Sequence, residues 1–83
     1  MSDPLAPIRA RFVERAREDL DKIRAGEDVR FLAHRMAGTA ATLGFAEVGA
    51  LAGRIDDQMA DGAADPADLA ALIAALETLT RPA

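Results

Sequence analysis

The 83-residue chain contains no cysteine, tryptophan or tyrosine, only three phenylalanines and a single histidine. Without cysteine there is no disulfide framework, no thiolate metal site and no thiol nucleophile. With aromatics confined to Phe12, Phe31 and Phe45, any core must be built mainly from Leu, Ile, Val, Met and Ala. No apolar run approaches the roughly 20 residues of a membrane span. The opening "MSDPLAPIRA" lacks the basic and apolar regions of a signal peptide. A cytoplasmic protein without a membrane association is the expectation. A second histidine is also missing, so a metal site would lack nitrogen and sulfur ligands beyond one imidazole.

Charge is present but unevenly placed. The net charge is −4, and basic and acidic residues nearly cancel before Met36. After it, only Arg54 and Arg81 oppose Glu47, Asp56, Asp57, Asp61, Asp65, Asp68 and Glu77. A nucleic-acid binder would carry a basic stripe. The arginines between Arg9 and Arg17 have Glu14, Glu18, Asp19 and Asp21 at helical spacings, which describes a paired, solvated face.

Four apolar-periodic segments follow one another, and no strand pattern interrupts them. Leu5, Ile8, Phe12, Ala16, Leu20 and Ile23 recur at steps of three and four and mark one helical face, which Gly26 ends. A second stripe is Val29, Leu32, Ala33, Met36, Ala40 and Leu43, preceded by Glu27 and Asp28 and stopped by Gly44. The third is Val48, Leu51, Ala52, Ile55 and Met59, entered through Phe45. "DPAD" then starts a fourth, with Asp65 as cap and Pro66 in the first turn, followed by Leu69, Leu72, Ile73, Leu76 and Leu79. These signals predict one all-α domain over 1–83, with helices over about 5–25, 28–43, 45–60 and 66–80. Short connections favour antiparallel neighbours, so the expected architecture is an up-and-down four-helix bundle.

The lone histidine lies in "LAHRMAGTAATLG", residues 32–44. At about 100° per residue, His34 falls nearly opposite the apolar arc of its helix, so it is expected to face water. Burying it would expose Leu32, Met36 and Leu43. Ala37, Gly38 and Ala41 follow on the same side at positions where an exposed helix usually carries long polar residues. Gly38 costs about 1 kcal/mol in a helix interior relative to alanine, and close approach of another molecule would offset that cost. An exposed imidazole on a cleared surface suits a nucleophile toward a group carried by a macromolecular partner. Hydrolytic catalysis would need a base, an orienter and a pocket in a bundle with little room for one.

"AHRMAGTAATLGF" resembles the signature of histidine-containing phosphotransfer (HPt) domains: a histidine, any residue, a large apolar residue, usually lysine, then glycine, with a second glycine near the helix end. His34, Met36, Gly38 and Gly44 fill those places, and "FAEVGALAGRIDD" is similar to the family's third helix. The resemblance covers most of the chain and implies a helical bundle. It implies a phosphorelay carrier of two-component signalling without kinase activity, with His34 forming phosphohistidine by exchange with aspartates of response-regulator receiver domains. A hybrid histidine kinase is a further candidate partner. Mg²⁺ would sit on the receiver, and the chain itself would need no cofactor; a monomer is expected.

The family's usual lysine is Ala37 here. Arg30, one turn before His34, and Arg35, next to it in sequence, are candidates to supply the charge, with Arg30 nearer the His34 face on the wheel. Pairing with Glu27 or Asp28 is the plainer role for both. Phe31 either docks a partner or covers the edge of the bundle near the first helix. Gly49 and Gly53, one turn apart, either allow close packing against the second helix or, with Ala41, widen the docking surface. Met36 and Met59 read as core filler, and Thr39 and Thr42 as bonding back to helix carbonyls. Two other roles fit the residues: a docking module that is never phosphorylated, and a helical subunit with its Ala/Gly face buried in a permanent assembly.

Overall fold

A computed structural model describes residues 3–82, so positions 1, 2 and 83 of the expected domain lie outside the described residues. It contains four helices: α1 (Ala6–Arg24), α2 (Val29–Ala40), α3 (Ala46–Ala60) and α4 (Pro66–Thr80). No strand occurs among the described residues. No helix there is long and apolar enough to cross a membrane. Each helix packs against its neighbours around the ring, with α2 and α3 the most closely joined and α4 closing against α1, an antiparallel up-and-down bundle.

The turns form where the sequence supplies the right residues. After α1 the amide of Glu27 bonds the carbonyl of Lys22 at 2.9 Å, and that of Gly26 bonds Ile23 at 3.0 Å. Gly26 has φ +75°, so this is a Schellman stop built on a residue without a Cβ. The same pattern ends the second helical stretch: Phe45 bonds Ala40 at 2.8 Å, Gly44 bonds Ala41 at 3.1 Å, and Gly44 has φ +91°. Regular α2 stops at Ala40, a turn short of the expected Leu43, because the last turn tightens to i→i+3 bonding. The amides of Ala67 and Asp68 donate to Asp65, at 2.8 and 3.1 Å, capping α4 as its sequence requires.

The core holds the expected stripes. Val29, Leu32, Ala33, Met36, Ala40 and Leu43 are all buried, and they meet Ala16, Leu20 and Ile23, Val48, Ala52 and Ile55, and Leu72 and Leu76. Phe12 and Phe45 stack with their ring centroids 5.3 Å apart and close one end. Ile8 departs from the expectation, being 46% exposed. α1 and α2 meet over less of their length than the other neighbours, and Ile8 lines the open groove left between them.

The α1 surface also differs from the expected paired, solvated face. Arg17 pairs with Glu14 at 2.6 Å along the helix, as the spacing suggested. Asp19 does not belong to that solvated face: it is buried and takes the guanidinium of Arg35 from α2. A carboxylate drawn inward needs a cation with it, and Arg35 of the neighbouring helix supplies it.

Candidate functional site

His34 stands on the outer face of α2 with its side chain 76% exposed, opposite the buried stripe that fixes the helix rotation. Its Nδ1 lies 2.8 Å from Oδ2 of Asp56 on α3. The Nε of Arg30, one turn earlier on α2, lies 3.6 Å from the other oxygen of the same carboxylate. His34 and Arg30 thus share one anion. The three residues line an open groove of about 700 Å³ with Asp28, Phe31 and Met59. Among the described residues, no group of three His, Asp or Glu side chains is placed to hold a metal ion.

The Asp56 carboxyl is held below the ordinary carboxylate range, first by the hydrogen bond from His34 and further by the Arg30 charge, against the opposing effect of burial. Asp56 is therefore ionised at neutral pH and can only accept a hydrogen bond. The proton of the neutral ring is assigned to Nδ1 on that ground. Nε2, on the opposite edge of the ring, keeps its lone pair. The result is an exposed imidazole oriented by a carboxylate, an arrangement suited to a nucleophile.

The surface beyond His34 is bare. Gly38 is exposed, and a Cβ built there would meet nothing within 4 Å. The interior of the bundle gives no reason for a glycine at that position. Ala41 is exposed, while Ala37 is half-buried with its Cβ facing Gly53, whose own Cβ would lie 3.9 Å away. Gly49 is different. It is buried, and a Cβ there would come 3.1 Å from the Ala41 nitrogen and 3.2 Å from the Ala41 Cβ. Its smallness serves the α2–α3 packing, so of the two roles its spacing allows Gly49 takes the packing one and leaves the docking set.

The two candidate arginines separate. Arg30 stays beside His34 and pairs with Asp56 rather than with Glu27 or Asp28. The guanidinium of Arg35 is occupied by Asp19 and lies 5.7 Å from the Phe31 ring centroid, so Arg35 leaves the set of residues around the imidazole. Phe31 is 64% exposed and lines the groove next to His34 instead of covering the core. Met36 is buried as expected, whereas Met59 is half-buried and contributes to the groove. Thr42 bonds back to the Gly38 carbonyl at 3.2 Å.

Asp56 was not singled out from sequence, although a signal was there. The α2–α3 hairpin turns about Phe45, and residues equidistant from it face each other: Ala41 with Gly49, Ala37 with Gly53, His34 with Asp56. Locating the turn thus locates the partner of the histidine.

Searches of curated proteins and of solved structures return no match. A family model does match: the Hpt domain, over residues 7–81. With nearly the whole chain aligned to that model, and a four-helix bundle carrying one oriented, exposed histidine, the chain belongs to the Hpt domain family.

Proposed function

We propose that His34 is the phospho-accepting residue of a carrier that exchanges a phosphoryl group with aspartates of response-regulator receiver domains. Membership of the Hpt family makes the chain a phosphotransfer module of two-component signalling, a class of phosphocarriers rather than kinases. The observation that carries the reading is the orientation of the one imidazole: exposed, bound through Nδ1, and free at Nε2.

In the proposed step, Nε2 attacks the phosphorus of an aspartyl phosphate presented by the receiver. The N–P bond forms as the P–O bond to the aspartate breaks, and the electron pair leaves with the carboxylate. The receiver brings its own acidic pocket and Mg²⁺, so this chain mainly supplies position. Gly38 and Ala41 leave room for the approaching surface, with Ala37 low beside them. Arg30, which shares the Asp56 carboxylate with the imidazole, takes the place of the lysine missing at Ala37. Phe31 and Ala41 form the docking rim, with Gly53 set behind Ala37. On this reading the domain works as a cytoplasmic monomer, with receiver domains or a hybrid kinase as partners.

Mixing the protein with a phosphorylated receiver domain tests it. Acid-labile, alkali-stable phosphate should appear on the wild type and be absent from His34→Gln. Ala37 supports a second reading, a docking module that is never phosphorylated; binding without transfer is the outcome that would select it. A stable dimer with His34 covered would refute both.

A further inference from the structure

We infer that Asp56 is a positioning residue that keeps the proton on Nδ1 of His34 while Nε2 carries the phosphoryl group, so that the group stays transferable. The inference rests on the carrier reading and concerns the return half of the exchange. When Nε2 takes up phosphorus, the ring still bears its Nδ1 proton and becomes positively charged. The Asp56 carboxylate faces that charge across the 2.8 Å hydrogen bond. Onward transfer breaks the N–P bond, and its electron pair returns to Nε2. With the proton in place, the leaving group is a neutral imidazole. If Nδ1 has lost its proton, an imidazolate must leave, a much poorer leaving group.

The surroundings favour retention. Nδ1 and Nε2 lie on opposite edges of the ring, so the carboxylate meets the proton without facing the phosphoryl oxygens. Arg30, at 3.6 Å from Oδ1, opposes the ring's positive charge, but it leaves Oδ2, at 2.8 Å, to the ring, and the closer carboxylate dominates. Asp28, at the start of α2, lines the same groove and adds no competing cation. From α1, Asp19 is taken up by Arg35, and α4 contributes no residue to the groove.

The test is a pH profile that needs no partner. Wild type and Asp56→Asn are phosphorylated with phosphoramidate, circular dichroism checks that both keep their helices, and loss of phosphate from His34 is followed by ³¹P NMR. Retention of the ring proton to higher pH should displace the wild-type profile upward by about one pH unit, leaving Asp56→Asn about threefold slower midway between the two midpoints and about tenfold slower above both. Asp56→Glu should recover part of the displacement, which a loss of packing alone would not allow. The wild-type phosphorylated chain in urea is a reference independent of how any variant folds, and its profile should match Asp56→Asn. Superimposable profiles for the native wild type and either comparison would overturn the inference and leave the carrier reading standing. A wild type that never accepts phosphate would overturn both.

Discussion

Replacing Gly38 with alanine should stabilise the protein, because nothing in the bundle occupies the space its Cβ would fill. The position is helical, exposed and has no positive φ, so the substitution removes the backbone-entropy penalty of glycine without strain. The expected gain is about 0.5–1 kcal/mol. For a domain of this size that corresponds to a rise in thermal midpoint of roughly 2–8 °C, measured by circular dichroism. Gly49→Ala supplies the contrast. It would recover the same backbone term but drive a Cβ to 3.1 Å from the Ala41 backbone. Overpacking of that kind costs about 1–3 kcal/mol, so the net result should be a loss of about 1 kcal/mol. A leucine at position 38 keeps the helix term and adds bulk beside His34. If the bare surface exists for a visiting receiver, Gly38→Leu should fold normally yet lose about 10²-fold in transfer rate, the scale on which a displacement of about 1 Å acts. Wild-type transfer by a stable Gly38→Leu would refute the clearance argument; a lower thermal midpoint for Gly38→Ala would refute the open-space argument beneath it.

Other substitutions probe the rest of the geometry. Arg30→Ala should slow phosphotransfer by about tenfold; an unchanged rate would remove Arg30 from the site. Arg35→Ala leaves the buried Asp19 without its cation and should cost about 2–4 kcal/mol in chemical denaturation, against less than about 0.5 kcal/mol for Arg17→Ala on the exposed face. Equal costs would mean that Asp19 is hydrated rather than buried. Phe31→Ala should leave the thermal midpoint within a few degrees, since the ring is mostly exposed, while weakening receiver binding measured by calorimetry. The Asp56 carboxyl has a lower pKa in the folded chain than in the unfolded one. Its pairing therefore contributes to stability above the unfolded value, and that contribution is lost as the pH falls through the lower folded value. The acid limb of a thermal-midpoint profile below about pH 4 should be shallower in Asp56→Asn, and an identical limb would show that the pairing does not persist in solution.

Periodicity decided the helices because each apolar stripe has only one way to turn inward, and the same argument placed His34 in water. It could not foresee Ile8 or Asp19. A wheel gives the rotation of one helix but not how far along it the neighbours reach, and that depth exposes Ile8 and brings Asp19 against Arg35. Asp56 is a different case, since its pairing depends on register alone. Its neighbour Asp57 has the same carboxylate and lies about 100° further around the helix, exposed, with no ring to receive. What distinguishes the two is the Schellman turn at Gly44, which sets the fold-back point at Phe45 and so sends position 56, and not 57, to the turn of α2 that carries the histidine. The glycine near the helix end therefore has a chemical consequence ten residues before it and twelve after it: it determines which acid holds the imidazole, and through that acid which ring nitrogen is left facing away from it.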